Sequence, residues 1–389
     1  MKSISTVVEK MKPSGIRKFF DLASTMDDVI SLGVGEPDFS TPWHICQAAM
    51  ASMADGKTHY TANRGLLELR QEIATFHKEH YQQSYDPQTE IVVTVGGSEA
   101  IDISMRALLN PGDEVIVMDP NYVAYEPAVA LAGGVCVPIV LTKENEFKLK
   151  PEDLKAAISP KTKAMIINYP SNPTGGVMTH EDYAKLEPIL KESGIFVVSD
   201  EIYAELSFDQ EFASLSQFDE VRDQIIVING FSKAFAMTGW RLGYILANAP
   251  LSKAITKIHQ YVIMSASVAS QYAAIEALKN GYPDVVMMRE EYNHRRNLLV
   301  NRLNAMGLHT NMPHGTFYVF ADIRKTGLNS ETFCSQLLEK EHVACVPGNA
   351  FGPHGEGFIR ISYAYSLNHI KEACVRIEQF LKDIDYQKE

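Results

Sequence analysis

The 389-residue sequence lacks the patterns that mark a disulfide framework, a membrane span or a nucleic-acid-binding surface. Its five cysteines are scattered without a Cys-x-x-Cys pair, which favours buried thiols in a reducing cytoplasm, and no metal site is predicted. No lysine and arginine run accompanies the net charge of -12, so no nucleic-acid partner is expected. The amino terminus has no signal-peptide core, and no apolar run is long enough to cross a bilayer. We therefore expect a cytoplasmic protein without a membrane partner.

A dinucleotide-binding motif is also missing. Gly33-Val34-Gly35 does not extend to Gly-x-Gly-x-x-Gly, which excludes a nicotinamide cofactor. Instead, predicted strands and helices alternate from Ile91 to Ile228, and this order is typical of an α/β fold with a mostly parallel sheet between helices. Ligands of such sheets gather at the carboxyl ends of the strands.

The most informative segment is IIVINGFSKAFAMTGWRLG, residues Ile225–Gly243. Four apolar residues predict a short buried strand, and the turn at Asn229-Gly230 leaves Lys233 beside the core. Poor solvation disfavours an ammonium group, and a neutral amine can form a Schiff base with an aldehyde. Arg241 offers a planar fork suited to a phosphate. The pair suggests pyridoxal phosphate (PLP); the alternative is a surface lysine and a solvated arginine.

Two further polar signals follow predicted strands. Gly96-Gly97-Ser98 comes after the strand at 91–95 and leads into a helix predicted from Glu99, an arrangement that can bind an anion but that a plain tight turn also produces. Asp200 follows the strand at 195–199, and a carboxylate buried there needs a partner such as a protonated pyridine nitrogen. A helix cap is the alternative for Asp200.

The carboxyl-terminal part changes to a long polar helix from Tyr292, followed by strands at 315–323 and 358–364. Arg360 falls on the second of these strands, where it must reach solvent or pair with an anion. Near the other end, Ile16, Phe19, Phe20 and Ala23 recur at helical spacing. We expect both ends of the chain to form one small α+β domain.

Several strings closely resemble the class I aminotransferases, which are PLP enzymes of fold type I, and the resemblance extends from Ile16 to Ala364. They are SLGVGEPDF (31–39), YPSNPTG (169–175), SDEIY (199–203) and FSKAFAMTGWRLG (231–243). The resemblance implies a large PLP-binding domain with a seven-stranded sheet at 41–290, and a small domain formed by 1–40 and 291–389. It also implies a homodimer with shared active sites.

The resemblance assigns the site residues. Lys233 and Tyr60 are expected to be catalytic, with Tyr60 reaching into the active site of the partner subunit. The cofactor-binding residues are expected to be Gly96, Gly97, Ser98, Tyr122, Asn172, Asp200, Tyr203, Ser232, Lys233 and Arg241. The substrate-binding residues are expected to be Gly35, Asn172 and Arg360.

Individual roles follow from the same resemblance. Tyr122 stacks on the cofactor ring, while Asn172 and Tyr203 hydrogen-bond its phenolic oxygen. Many relatives carry a phosphate-binding serine three residues before the lysine, but this chain has Gly230 there, so Ser232 is expected to supply the hydroxyl.

The expected activity is amino-group transfer from an L-amino acid to a 2-oxo acid such as 2-oxoglutarate. Within this group the chain most resembles aromatic and broad-specificity aminotransferases, on the strings SGIRKFFDLAS (14–24), SLGVGEPDF (31–39) and NGFSKAFAMTGWRLG (229–243). No second arginine dedicated to a side-chain carboxylate is identified, which also favours aromatic or large apolar donors, although aspartate, alanine and diaminopimelate-type donors remain open. The alternatives are a PLP-dependent C–S lyase on the same fold, a non-enzymatic regulator built on an aminotransferase-like domain, and a generic nucleotide-binding α/β protein.

Overall fold

Strands and helices alternate along most of the computed structural model, which describes residues 2–11, 26–384 and 386. The strands are β1 (Ile30–Ser31), β2 (Ile91–Thr94), β3 (Glu114–Asp119), β4 (Val135–Val140), β5 (Thr162–Asn168), β6 (Phe196–Asp200), β7 (Ile225–Gly230), β8 (Gly243–Leu246), β9 (Tyr318–Asp322), β10 (Val343–Ala344), β11 (Val346–Pro347) and β12 (Phe358–Ser362). The α-helices are α1 (Thr6–Lys10), α2 (Trp43–Ala54), α3 (Leu67–Tyr81), α4 (Gly96–Leu108), α5 (Tyr125–Leu131), α6 (Pro151–Ala157), α7 (His180–Ser193), α8 (Ala249–Val262), α9 (Val268–Asn280), α10 (Tyr282–Ala305), α11 (Ser330–Glu341) and α12 (Leu367–Asp383).

Seven strands form one mostly parallel sheet in the order β2-β8-β7-β6-β5-β3-β4, in which β8 runs antiparallel to both of its neighbours. Successive residues of each strand point to opposite faces. In β7, Ile225 and Val227 join one hydrophobic cluster, while Ile226 and Ile228 join another. Helices cover both faces, since α3 and α7 pack in the first cluster and α4 and α8 in the second. The predicted α/β class and seven-stranded sheet are confirmed.

A second, smaller group of strands combines β1, from the amino-terminal part of the chain, with β9–β12 from its carboxyl-terminal part. β11, β12 and β9 form an antiparallel sheet, and β1 pairs in parallel with β10. Buried residues of β1, β9, β10 and β12 share a separate hydrophobic cluster with α11 and α12. The helix predicted around Ile16–Ala23 lies outside the described residues. The domain boundaries at residues 41 and 291 stay a prediction. Helix α10 runs through the second of these boundaries.

Element boundaries differ from the sequence prediction at two informative places. α4 begins at Gly96 rather than at Glu99, and α10 begins at Tyr282, ten residues before the predicted start. α7 continues past Pro188 to Ser193. The Thr179 hydroxyl and the Asp182 carboxylate cap its amino-terminal end. Within the described residues, no helix has the length and apolar character that a membrane crossing requires.

Candidate active site

Polar groups collect at the carboxyl ends of the parallel strands. Asn168 and Asp200 are the last residues of β5 and β6 and stand side by side in the sheet register. Lys233 follows three residues after β7, and α4 begins two residues after β2. Because parallel strands end at a common edge, these groups face one cavity of about 380 Å³.

Most of the predicted site residues line this cavity. They are Gly35, Gly97, Ser98, Tyr122, Asn172, Asp200, Tyr203, Ser232, Lys233, Arg241 and Arg360. Gly96 packs against Arg241 and does not itself line the cavity. Tyr60 lies outside the cavity on the surface, with 84% of its area exposed. The fold therefore brings together residues that are spread over 326 positions of the chain, from Gly35 to Arg360.

The Lys233 amine lines the cavity. Its Nζ donates a hydrogen bond to the carbonyl oxygen of Gly35 at 2.7 Å. Burial lowers the pKa of Lys233 to about 8; the Glu36 carboxylate opposes this shift, and the guanidinium of Arg360 adds to it. A substantial fraction of the amine is therefore neutral at mildly basic pH, as covalent or base chemistry requires.

The Asp200 carboxylate is buried at the end of β6. It accepts hydrogen bonds from the Tyr125 hydroxyl at 2.7 Å and from the backbone N–H of Ile202 at 3.2 Å. Burial raises the pKa of Asp200 to about 6, although both hydrogen bonds oppose the shift. A cationic partner would relieve the cost of burying this charge.

An anion cradle forms where α4 meets Arg241. Gly96 has φ +71°, and a Cβ atom at Gly96 would lie 2.8 Å from Nη2 of Arg241, so the guanidinium packs directly on the first turn of α4. Ser98 and Ser232 line the same cavity as Arg241. The free N–H groups and positive end of the helix, two hydroxyls and a guanidinium are donors suited to a phosphate.

Glu99, in the first turn of α4, is held away from this cradle. Its carboxylate accepts the backbone N–H of Val95 at 2.5 Å and contacts Nδ1 of the buried His259 at 2.6 Å. These contacts satisfy both carboxylate oxygens, so Glu99 leaves the free N–H groups of α4 available for an anion.

Arg360 is almost completely buried on β12, with 3% of its area exposed. Its Nη1 donates to Oδ1 of Asn172 at 2.8 Å and its Nη2 donates to the carbonyl oxygen of Gly33 at 2.7 Å. Both partners are neutral, and the buried Nε has no hydrogen-bond partner within the described chain. A buried guanidinium with neutral partners is costly unless an anion joins it, which is how a substrate carboxylate would bind.

Sequence reasoning missed several residues of the cavity. Tyr125 holds Asp200, Asn168 accepts the backbone N–H of Asn172 at 2.9 Å, and Tyr318 contacts Tyr203. Glu36, Thr238 and two isoleucines also line the cavity. Only the position of Asn168 at the end of a predicted strand gave a usable signal, because the other contacts join residues far apart in the sequence.

The cavity fits PLP at three points. The cradle at α4 and Arg241 suits the phosphate, the buried Asp200 carboxylate suits a protonated pyridine nitrogen, and the Lys233 amine can react with the aldehyde. The fold is therefore α/β, and its cavity has residues suited to each part of PLP.

Comparison with known proteins identifies the family. The family model for aminotransferase class I and II matches residues 27–377. The chain is 50% identical over 378 residues to the putative aminotransferase YugH of Bacillus subtilis, covering 97% of this chain and 98% of that one. It is 43% identical over 384 residues to an aspartate aminotransferase of Pyrococcus abyssi, covering 98% and 99% of the two chains.

A solved structure agrees with these relatives. The crystal structure of an aromatic aminotransferase from Pyrococcus horikoshii has a TM-score of 0.91 at 42% identity, covering 96% of this chain and 100% of that one. The chain belongs to the class I and II aminotransferase family and is a PLP-dependent aminotransferase. The family, the fold type and the cofactor that the sequence predicted are confirmed.

The raised pKa of Asp200 gives a pH-dependent prediction for the cofactor-free protein. Protonated Asp200 stabilises the folded protein fully below pH 3.8, which is the ordinary pKa of the group. This stabilisation is lost as the pH rises through the raised pKa of about 6. The loss at pH 7 amounts to about 3 kcal/mol. Asp200→Asn has no carboxyl group to titrate at this position. Its free energy of unfolding relative to that of the wild type should therefore rise by about 3 kcal/mol between about pH 4 and pH 7. Urea unfolding of both proteins at several pH values measures the difference, and a pH-independent difference would contradict it.

Proposed function

We propose that the cavity performs amino-group transfer with Lys233 as its reacting residue, and that the roles implied by the family resemblance apply here. The observation that carries this proposal is the convergence of Lys233, Asp200, Arg241 and Arg360 on one cavity. When bound, PLP supplies an aldehyde that takes up the amino group and a ring that delocalises the electron pair left on the substrate Cα.

The cofactor would be held at both ends. Gly96, Gly97, Ser98, Ser232 and Arg241 would bind the phosphate, with Ser232 in the role that a serine at position 230 has in many relatives. At the opposite end, Asp200 would pair with the ring nitrogen, and Tyr125 keeps this carboxylate oriented. The flat side chain of Tyr122 would stack on the ring. Asn172 and Tyr203 would bind the phenolic oxygen.

Lys233 would act as the general base once the substrate amine has displaced it. Its Nζ would remove the proton from the substrate Cα and hold it for return to the product, while bound PLP would supply the electron sink for this step. The pKa of about 8 supports this role, because a base works best when its pKa lies near the working pH. The bond from Nζ to the Gly35 carbonyl orients the amine beside the predicted substrate-binding loop.

Arg360 would bind the α-carboxylate of the substrate with parallel hydrogen bonds, assisted by Asn172 and the backbone of Gly35. The guanidinium is already fixed by Asn172 and Gly33, so little side-chain freedom is lost when substrate binds. This fixed carboxylate would place Cα within reach of Lys233.

We propose aromatic or large apolar amino acids as donors and 2-oxoglutarate as the acceptor. Lys233, Arg241 and Arg360 are the cationic side chains among the described residues lining the cavity, and each already has a role. A donor with a side-chain carboxylate would therefore find no further cation in this lining. The aromatic aminotransferase of Pyrococcus horikoshii supports this choice, whereas the relative from Pyrococcus abyssi carries the name of an aspartate enzyme.

Steady-state rates with 2-oxoglutarate test the donor class. We expect kcat/KM for phenylalanine or tyrosine to exceed that for aspartate by about tenfold or more, since a carboxylate buried without a cation is disfavoured. Repeating the series with pyruvate as acceptor controls for an effect of the acceptor on the donor order. A higher kcat/KM for aspartate with both acceptors would overturn the proposed donor class while leaving amino transfer intact.

We further propose a cytoplasmic homodimer in which Tyr60 completes the site of the partner subunit. Tyr60 and Tyr261 are both 84% exposed, and Asn63, three residues after Tyr60, donates from Nδ2 to the carbonyl of Met264, three residues after Tyr261, at 2.8 Å. Exposed apolar side chains that cluster in this way are typical of interfaces. Sedimentation should show twice the chain mass of 43.3 kDa, and a single-chain mass would contradict the dimer.

A further inference from the structure

Tyr318, the first residue of β9, contacts two of the residues with proposed roles. Its hydroxyl lies 3.0 Å from the hydroxyl of Tyr203, and its ring centroid lies 4.2 Å from Cζ of Arg360. The side chain is 1% exposed, and a Cβ atom added to Gly35 would lie 2.3 Å from its hydroxyl. Tyr318 is therefore enclosed between the predicted substrate-binding loop, Tyr203 and Arg360.

The hydrogen bond between the two tyrosines has a preferred direction once the cofactor is present. A phenol has one proton, so a Tyr203 that donates to the cofactor oxygen must accept from Tyr318. In the described chain, Tyr203 is the hydrogen-bond partner of the Tyr318 hydroxyl. A hydroxyl that accepts a hydrogen bond becomes a stronger donor, because bonds in such a chain polarise each other. Tyr318 would thus strengthen the contact of Tyr203 with the cofactor.

The ring of Tyr318 acts on Arg360. Together with the ring of Phe351, whose centroid is 4.8 Å from Cζ, it provides aromatic surface for the guanidinium. Aromatic rings attract a cation and favour particular orientations of its plane. The hydrogen bonds to Asn172 and Gly33 fix the rotation within that plane. The ring and the two hydrogen bonds therefore determine the direction in which the guanidinium meets a carboxylate.

We propose that Tyr318 is a positioning residue that acts through its hydroxyl on Tyr203 and through its ring on Arg360, an inference that rests on the proposed roles of those two residues. Tyr318 connects Tyr203, which would hold the cofactor oxygen, with Arg360, which would hold the substrate carboxylate. A single side chain, supplied by the smaller group of strands, thereby aligns both ligands of the cavity.

Two substitutions separate the two actions in the holoenzyme. Tyr318→Phe removes the hydroxyl and keeps the ring, and Tyr318→Leu removes both. For Tyr318→Phe, we expect the midpoint of the pH titration of the cofactor's visible absorption band to move to higher pH by about 0.5–1 unit, since the ionised cofactor oxygen loses stabilisation. The KM for the amino acid should stay within about twofold. Tyr318→Leu should raise this KM by roughly three- to thirtyfold because the aromatic contact with Arg360 is lost.

A double-mutant cycle separates positioning from general damage to the fold. Tyr203→Phe should give a larger titration shift, and adding Tyr318→Phe to it should give no further shift, because the hydroxyl of Tyr318 acts through Tyr203. Tyr363→Phe is the matched control. It removes another buried hydroxyl of the same cluster, which donates to the Thr316 carbonyl at 2.9 Å outside the cavity, and it should leave the midpoint unchanged.

The possible results distinguish this inference from the function on which it rests. A Tyr318→Phe midpoint equal to that of the wild type, or a shift that adds fully to that of Tyr203→Phe, would overturn the role of Tyr318 alone. A wild-type protein that binds PLP without a visible absorption band would overturn both the proposed role of Lys233 and this inference. A non-additive shift with an unchanged Tyr363→Phe control would establish the role.

Discussion

Replacing Lys233 by alanine is expected to lower the rate of amino transfer by about 10⁴-fold or more. The variant loses the amine that reacts with the cofactor aldehyde and the base that moves the Cα proton. The anion cradle, Asp200 and Arg360 remain, so the protein should still bind PLP. Single-turnover rates with phenylalanine measure the loss independently of how tightly the cofactor is held.

Lys155→Ala is the matched control for this variant, since Lys155 is an exposed lysine on α6 outside the cavity. Its rate should equal that of the wild type. If Lys233→Ala retained transamination close to the wild-type rate, the assignment of the reacting lysine would be wrong.

Replacing Arg360 by leucine is expected to lower kcat/KM for the amino acid by about 10²- to 10³-fold. The loss should appear mainly as a higher KM, because a buried guanidinium holds the α-carboxylate before the reaction begins. It corresponds to about 3–4 kcal/mol, within the range for removing one partner of a buried charged hydrogen bond. Initial rates over a range of amino-acid concentrations separate KM from kcat.

Arg360→Lys adds a further test, since it keeps the positive charge and loses the planar fork. It should recover only part of the activity, because an ammonium group cannot reproduce two parallel hydrogen bonds. Arg106→Gln, which breaks an exposed ion pair with Asp102 on α4, should have little effect on KM. A near-wild-type KM for Arg360→Leu would assign the substrate carboxylate to another group.

The sequence was sufficient to predict the parts of the site that lie next to buried strands. The apolar run of β7 followed by a turn indicated a lysine beside the core, and burial indeed lowers the pKa of Lys233. The carboxylate after the apolar run of β6 is buried as predicted. These predictions succeeded because strand, turn and reactive side chain are neighbours in the chain, and the family resemblance then gave their order a chemical meaning.

The missed contacts depend on packing between distant segments. Tyr318 meets Tyr203 across 115 residues, and His259 meets Glu99 across 160 residues, so no local pattern indicates either pair. Helix starts were missed for a different reason. Glycines are poor helix formers, which concealed the start of α4 at Gly96. For α10, Pro283 suits a first helical turn and marks the true start, whereas the change to polar composition from Tyr292 lies well inside the helix.

The most direct measurement is the absorption spectrum of the holoenzyme while single amino acids are added without an acceptor. Phenylalanine or tyrosine is expected to remove the visible band of the cofactor and to release one 2-oxo acid per active site, and an added 2-oxo acid is expected to restore the band. This is the signature of an amino group stored on the cofactor. Continued release of oxo acid and ammonia without an acceptor would instead indicate a lyase. A protein that takes up no PLP would contradict the PLP site and the role proposed for Lys233.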